Sequence, residues 1–268
     1  MNQLVLLALL VFQTCASLDV VDLRVAVIGG KKAETHAYPY QISLQSKQGK
    51  HLCGGSLVKT GNGEIVVITA SHCVENKTAA NIQVKVGEYS LSNDDPLGFE
   101  KVYAVKKIVM HPAYNRSTKS NDVAILYLKD KVELNKGVQP VALTKKSAVY
   151  FYNKNCTITG WGSIALGGVK PDILQVATVD FFPKSKCKKD YGKDFIQTTM
   201  ICGGKPMGGV DACQGDSGGP FVCTDESTGE HVLSGISSWG YGCALPGKSG
   251  VYTDVYMMRR WLKKVLKL

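Results

Sequence analysis

Asn121-Asp122-Val123-Ala124-Ile125-Leu126-Tyr127-Leu128 places six apolar residues in a row behind an acid. A run this short, with no polar alternation, reads as a strand covered on both faces. Outward from it, Ile65-Val66-Val67-Ile68 is another apolar run, while Ile82-Gln83-Val84-Lys85-Val86 and part of Val102 to Ile108 alternate apolar and polar residues. Turn-forming clusters such as Thr60-Gly61-Asn62-Gly63 and Gly167-Gly168 separate these runs. Glycine supplies 28 of the 268 residues, above the usual share of about 7%. Many short strands with tight turns between them predict an all-β barrel or sandwich. One helix is predicted, over Tyr256 to Leu268, with Trp261, Leu262, Val265, Leu266 and Leu268 on its apolar side. Arg259, Arg260, Lys263, Lys264 and Lys267 form the other side, read as the solvated face of a docked helix; an anionic membrane or heparin is the competing use.

The length fits one large or two small domains with a real core. An apolar content of 44% excludes disordered, collagenous and coiled-coil chains. A net charge of +10 raises nucleic acid and membranes as partners. No interleaved aromatic or helix-turn-helix pattern supports nucleic-acid recognition, and no stretch reaches the roughly 20 apolar residues of a membrane span. Leu4 to Phe12 is a short apolar run followed by Thr14, Cys15, Ala16 and Ser17. This predicts a signal peptide over residues 1–17, cut after Ala16 or Ser17, and hence a secreted protein. Loss of Cys15 leaves Cys53, Cys73, Cys156, Cys187, Cys202, Cys213, Cys223 and Cys243, an even set expected to form four disulfides, with about 105 pairings open. No C-x-x-C or H-x-x-x-H spacing supports zinc. Sequons at Asn76, Asn115 and Asn155 are compatible with secretion.

Three segments carry chemistry. Asp211-Ala-Cys-Gln-Gly-Asp-Ser-Gly-Gly-Pro220 surrounds Ser217 with glycines, so backbone N–H groups can approach a substrate carbonyl. Thr69-Ala-Ser-His72-Cys73 supplies a base, which serine needs in order to attack. Asn121-Asp122 puts an acid at the start of the buried strand. His111, in His-Pro-Ala-Tyr, is a second histidine that could pair with a serine.

Together these segments resemble the trypsin/chymotrypsin-like serine peptidases, from Val27 to the C-terminus. Val27-Ile-Gly-Gly30, Cys53-Gly-Gly-Ser56, Thr159-Gly-Trp-Gly162, Ser237-Ser-Trp-Gly240 and Gly250-Val-Tyr-Thr253 match as well, making eight segments in the family's order. The resemblance implies two packed six-stranded antiparallel β-barrels with a C-terminal α-helix. The first barrel would span about 27–140 and the second about 141–268. It implies His72 as general base, Asp122 as its orienter and Ser217 as nucleophile, with Gly215 and Ser217 N–H groups forming the oxyanion hole. His111 matches a non-catalytic loop position. The implied disulfides are Cys53–Cys73, Cys156–Cys223, Cys187–Cys202 and Cys213–Cys243.

Asp211, six residues before the nucleophile, matches the floor of the primary pocket, which implies selection of Arg or Lys side chains. Gly240 and Gly250 match its walls, and Ser238, Trp239 and Gly240 would line the substrate backbone. Ala212 stands where a serine helps solvate a lysine ammonium in other members, so Arg should be preferred over Lys. A zymogen is implied, with residues 18–26 as propeptide and the Val27 amine pairing with Asp216 after cleavage. Ala26, not a basic residue, precedes Val27, and Arg24 lies further back. An activating protease must therefore cut after Ala26, or the Val25-Ala26 overhang must be trimmed. No cofactor is required. Glu88 and Glu100, in a stretch with Asp94 and Asp95, fall where family members place calcium ligands. The partners implied are polypeptide substrates, protein protease inhibitors and the activating protease, with the chain a monomer. Pro39-Tyr-Gln-Ile-Ser-Leu44 resembles invertebrate digestive trypsins, which suggests gut digestion. The competing function is a secreted basic binding protein on the same fold, using clusters such as Lys184 to Lys193 for polyanions.

Overall fold

The computed structural model describes residues 29–93, 95–163 and 168–268. The predicted signal peptide and propeptide, Val27, Asp94 and Gly167 lie outside these residues. The strands are β1 (Lys31–Lys32), β2 (Gln41–Ser46), β3 (His51–Lys59), β4 (Ile65–Thr69), β5 (Ile82–Val86), β6 (Lys101–Met110) and β7 (Ala124–Leu128). They continue with β8 (Ala142–Leu143), β9 (Asn155–Gly160), β10 (Gln175–Phe182), β11 (Met200–Gly204), β12 (Pro220–Asp225), β13 (Glu230–Trp239) and β14 (Gly250–Asp254). The helices are α1 (Ala148–Phe151), α2 (Lys184–Tyr191) and α3 (Val255–Leu266).

β7 is the buried strand the apolar run predicts, paired on one side with β4 and on the other with β6. β5 realises its alternation, with Ile82, Val84 and Val86 buried and Gln83 and Lys85 part-exposed. The ring β2-β3-β4-β7-β6-β5 closes by pairing β5 with β2. A second ring, β9-β10-β11-β14-β13-β12, closes through β12 and β9. Both rings are antiparallel, and closure removes the exposed edges an open sheet would present. β1 pairs with β10, so the described start of the chain lies along the second barrel. Leu44, Ile68, Val84 and Leu126 fill the first core; Phe151, Phe181, Ile201 and Phe221 fill the second.

The terminal helix is shorter than predicted and shifted by one residue. Asp254 caps it, its carboxylate accepting the Met257 N–H (3.2 Å), and Lys267 ends it in a left-handed conformation (φ 55°). Leu268 therefore leaves the predicted apolar side and is exposed. Although α3 follows the last strand of the second barrel, Met258, Leu262 and Leu266 pack into the first core, and Tyr127 Oη donates to the Val265 carbonyl (2.9 Å). The helix thus straps one barrel to the other. All four disulfides join the pairs implied by the resemblance. Among the described residues no helix is long and apolar enough to cross a membrane.

Leu262→Ala should lower the unfolding free energy by about 2–5 kcal/mol, read by urea denaturation. A loss under about 0.5 kcal/mol, the range of ordinary surface changes, would show that the strap does not hold the barrels.

Candidate active site

Asp122 is fully buried where the two barrels meet. Its Oδ1 accepts the backbone N–H of His72 (2.9 Å), and Oδ2 accepts the His72 ring Nδ1–H (2.6 Å) and the Ser238 hydroxyl (2.6 Å). A buried carboxylate needs such donors, and these charge-assisted bonds are strong ones. The bond at Nδ1 places the imidazole proton there and leaves Nε2 as the base. His72 sits in a short 3₁₀ turn, Ser71–Cys73, which the Cys53–Cys73 disulfide holds to β3. Ser71 Oγ donates to the Val123 carbonyl (2.7 Å), tying this turn to the start of β7. From the second barrel, Thr253 Oγ1 donates to the Asp122 carbonyl (2.8 Å).

Ser217 lies on the turn entering β12. Its carbonyl accepts the Gly54 N–H (2.8 Å), and the Gly218 N–H donates to the Ser237 carbonyl (2.8 Å). Gly218 has φ +77°, and a Cβ there would lie 2.7 Å from the Gly54 carbonyl oxygen, so only glycine lets the two backbones meet. Among the described residues no hydrogen bond joins Ser217 Oγ to His72 Nε2; such contacts commonly tighten only when substrate binds.

Gly215 faces the same turn with φ +108°. Its carbonyl accepts a hydrogen bond from His51 Nε2 (3.0 Å), and Ser43 Oγ donates to His51 Nδ1 (2.8 Å). Burial pushes His51 down to about 4, so the ring is neutral at physiological pH and holds its proton on Nε2. Asp216 is buried, with Oδ1 accepting the Gly162 N–H (2.7 Å) and Oδ2 the Cys213 N–H (2.9 Å). Burial pushes its carboxyl up to about 6 despite those bonds and the nearby Lys170. Val27, the partner expected for Asp216, lies outside the described residues.

A cavity of about 180 Å³ opens beside Ser217, walled by Ala212, Ser238, Trp239, Gly240 and Gly250. Asp211 lies behind the Gly250 wall, 1% exposed, with Oδ2 accepting the Ala244 N–H (3.2 Å). Its Oδ1 and the Tyr252 hydroxyl have no hydrogen-bond partner among the described residues. Both point at Gly250, where a Cβ would lie 2.5 Å from the carboxylate and 2.8 Å from the hydroxyl. Burial pushes Asp211 up to about 7.

The structure thus gathers His72 and Asp122 into one bonded pair and sets Ser217 at a cavity walled by Gly250, with Asp211 against the far side of that glycine. A family model described as Trypsin matches residues 27–262. The chain belongs to the trypsin family. It is 39% identical to Trypsin-1 of Astacus astacus over 243 residues, 88% of this chain and 98% of that protein. It is 37% identical to Serine protease 1 of Homo sapiens over 268 residues, 99% of this chain and 98% of that protein. Serine protease 1 of Rattus norvegicus is 39% identical over 241 residues, 90% of this chain and 89% of its own. The chain is a trypsin-like serine endopeptidase.

Within this trypsin-family site, His111 stands apart: it packs on Trp261 of α3, ring centroids 4.9 Å apart. Cys53, His72 and Cys73 lie close enough together to suggest a metal, but both sulfurs are joined in a disulfide. The sequence reading passed over two contributors. Tyr252 sits inside the quoted Gly250-Val-Tyr-Thr253 segment without being singled out, and His51 is a lone histidine with no motif around it. Replacing His51 by Ala removes the donor on the Gly215 carbonyl and should loosen that peptide. We expect kcat to fall about 10- to 100-fold with KM nearly unchanged, as for loss of an oxyanion-hole contribution. Steady-state kinetics check this, and an unchanged kcat would show that Gly215 is oriented without His51.

Proposed function

We propose that this endopeptidase is secreted as a zymogen and cleaves polypeptides after Arg, and less readily after Lys, with digestion of dietary protein as its role. The observation that carries this reading is the pair of buried polar atoms without a hydrogen-bond partner among the described residues, Asp211 Oδ1 and Tyr252 Oη, both lying against Gly250, which walls the cavity beside Ser217. A buried acid without a counter-ion is costly, and a guanidinium entering the cavity supplies one. Ala212 offers no hydroxyl to solvate an ammonium, whereas a guanidinium can reach the carboxylate with two N–H groups.

In this reading His72 Nε2 takes the proton of Ser217 Oγ as it attacks the scissile carbonyl, then returns it to the leaving amine. Asp122 keeps the ring in the productive tautomer and stabilises the imidazolium. The Gly215 and Ser217 N–H groups receive the oxyanion, Gly215 being oriented by His51. Eight cysteines in four disulfides and the apolar run Leu4 to Phe12 support secretion. Activation would free Val27 to pair with Asp216, and the active form should begin at Val27 on N-terminal sequencing. A start at Val25 would exclude both activation routes. The polyanion-binding alternative loses support because Lys184 and Lys186 of its basic cluster pair with Asp254 and Asp190.

Matched Arg, Lys, Phe and Leu peptides, hydrolysed by protein beginning at Val27, test the reading. Turnover should favour Arg modestly over Lys, be negligible for Phe and Leu, and vanish in Ser217→Ala. Turnover of Phe or Leu alone would overturn the pocket, and equal or reversed Arg and Lys rates would overturn the role of Ala212.

The raised Asp211 adds a pH signature. The native acid keeps a proton that the unfolded chain releases near pH 4, so this group's contribution to stability falls as pH rises from there to about 7. A bound guanidinium needs the ionised form. Its affinity should therefore be level above about pH 7 and fall up to about tenfold per pH unit below it. Titration of the uncut Ser217→Ala chain with an alkylguanidinium checks this, and Asp211→Asn should abolish both the affinity and its slope.

A further inference from the structure

Glu88 and Glu100, the residues the family resemblance brings forward as calcium ligands, close on a cation that the chain supplies itself. Lys85, on β5, puts Nζ 3.0 Å from Glu88 Oε1 and 2.8 Å from Glu100 Oε2. The two acidic side chains are 1% and 6% exposed and the lysine 15%. The remaining oxygens are also engaged: Glu88 Oε2 accepts the Gln45 amide (3.0 Å) and Glu100 Oε1 the Tyr89 N–H (3.4 Å). Burial pulls the Lys85 ammonium down, but its bonds to Glu100 and Glu88 outweigh that, and its pKa ends above the usual lysine value.

Calcium takes about six to eight oxygens at about 2.3–2.6 Å. Here both expected carboxylates already face an ammonium, which donates hydrogen bonds and offers no lone pair. Asp95 turns away, with Oδ1 accepting the Leu97 N–H (3.2 Å) and Oδ2 the Phe99 N–H (3.0 Å) beside His36. The Tyr89 carbonyl accepts the Leu174 N–H (2.8 Å) and the Trp161 indole N–H (3.3 Å). The described donors therefore do not fit the ion.

We propose that Lys85 is the resident cation of this loop, standing in the place of a bound calcium, so that the fold is indifferent to calcium. The loop it holds reaches the second barrel. The Leu91 N–H donates to the Asp172 carbonyl (2.9 Å), and Ser90 Oγ (2.6 Å) and the Ser92 N–H (2.8 Å) donate to the Asp172 carboxylate. Asp172 is two residues from Lys170, whose side chain lies against Gly215. The ammonium thus anchors a strap that ends beside the oxyanion turn.

Thermal unfolding of the full chain carrying Ser217→Ala, which prevents self-digestion, tests this in millimolar calcium and in excess EDTA. The two Tm values should agree within about 1 °C, whereas an ion at a hundred times its Kd would raise Tm by about 5–10 °C. A saturable rise of that size overturns the proposal. Lys85→Gln, which leaves two buried carboxylates without their cation, should lower Tm in EDTA by about 10 °C, with calcium restoring part of it. Lys85→Arg keeps the charge and should stay calcium-indifferent, and it decides the matter if the glutamine variant does not fold. A Lys85→Gln protein that melts like its parent with and without calcium, or a calcium-dependent Lys85→Arg, means the ammonium is not the resident cation.

Discussion

One buried carboxylate holds the two barrels in register. Asp122 stands at the start of β7 in the first barrel, yet two of its contacts, Ser238 Oγ and Thr253 Oγ1, come from β13 and β14 of the second. A charge with no exposure to solvent is tolerable only while its donors stay in place. Any slip of one barrel against the other would strand it. The bonds that satisfy Asp122 are therefore also the ones that fix the backbone and ring of His72. Structural and chemical constraints coincide in that residue.

The seam is tight because it is made of backbone. Strand β3 donates the Gly54 N–H to the Ser217 carbonyl, and any side chain at Gly218 would run into that strand. Side-chain contacts between barrels could adjust by rotamer changes; a direct main-chain bond cannot. The α3 strap and the Cys53–Cys73 disulfide act on either side of this contact, one across the barrels and one beside His72. Rigidity of this kind suits a site that must hold donors ready for charge that appears only during reaction.

The strands were legible wherever burial repeats with a local period. β7 and β5 follow directly from an apolar run and an alternation, because each depends only on its own residues. Closure into two barrels was not legible from periodicity, which leaves barrel and sandwich open; it came from the eight matched segments. The boundary of α3 was misplaced because the Asp254 cap and the left-handed Lys267 decide it, and the apolar stripe does not. His51, Tyr252 and Lys85 share another difficulty. Each depends on a partner far away in sequence, the Gly215 carbonyl, Asp211 across Gly250, and Glu100, so a local pattern alone does not mark them, even where Lys85 also meets Glu88 three residues on. His111 is the converse case, a histidine in a recognisable local setting whose partner turns out to be Trp261.

The two acids flanking the Cys213–Gly215 turn are coupled. Burial is the main cause of the raised Asp211 pKa, and the charge of Asp216 adds to it. A cation that pairs with Asp216, the Val27 amine in the activation proposed above, removes that repulsion and lets Asp211 ionise more readily. Linkage makes the effect reciprocal: a basic side chain in the cavity favours the paired state of Asp216 by the same factor. Activation and substrate selection then act on one electrostatic unit. The precursor would hold its pocket carboxylate partly protonated near neutral pH and bind basic side chains weakly.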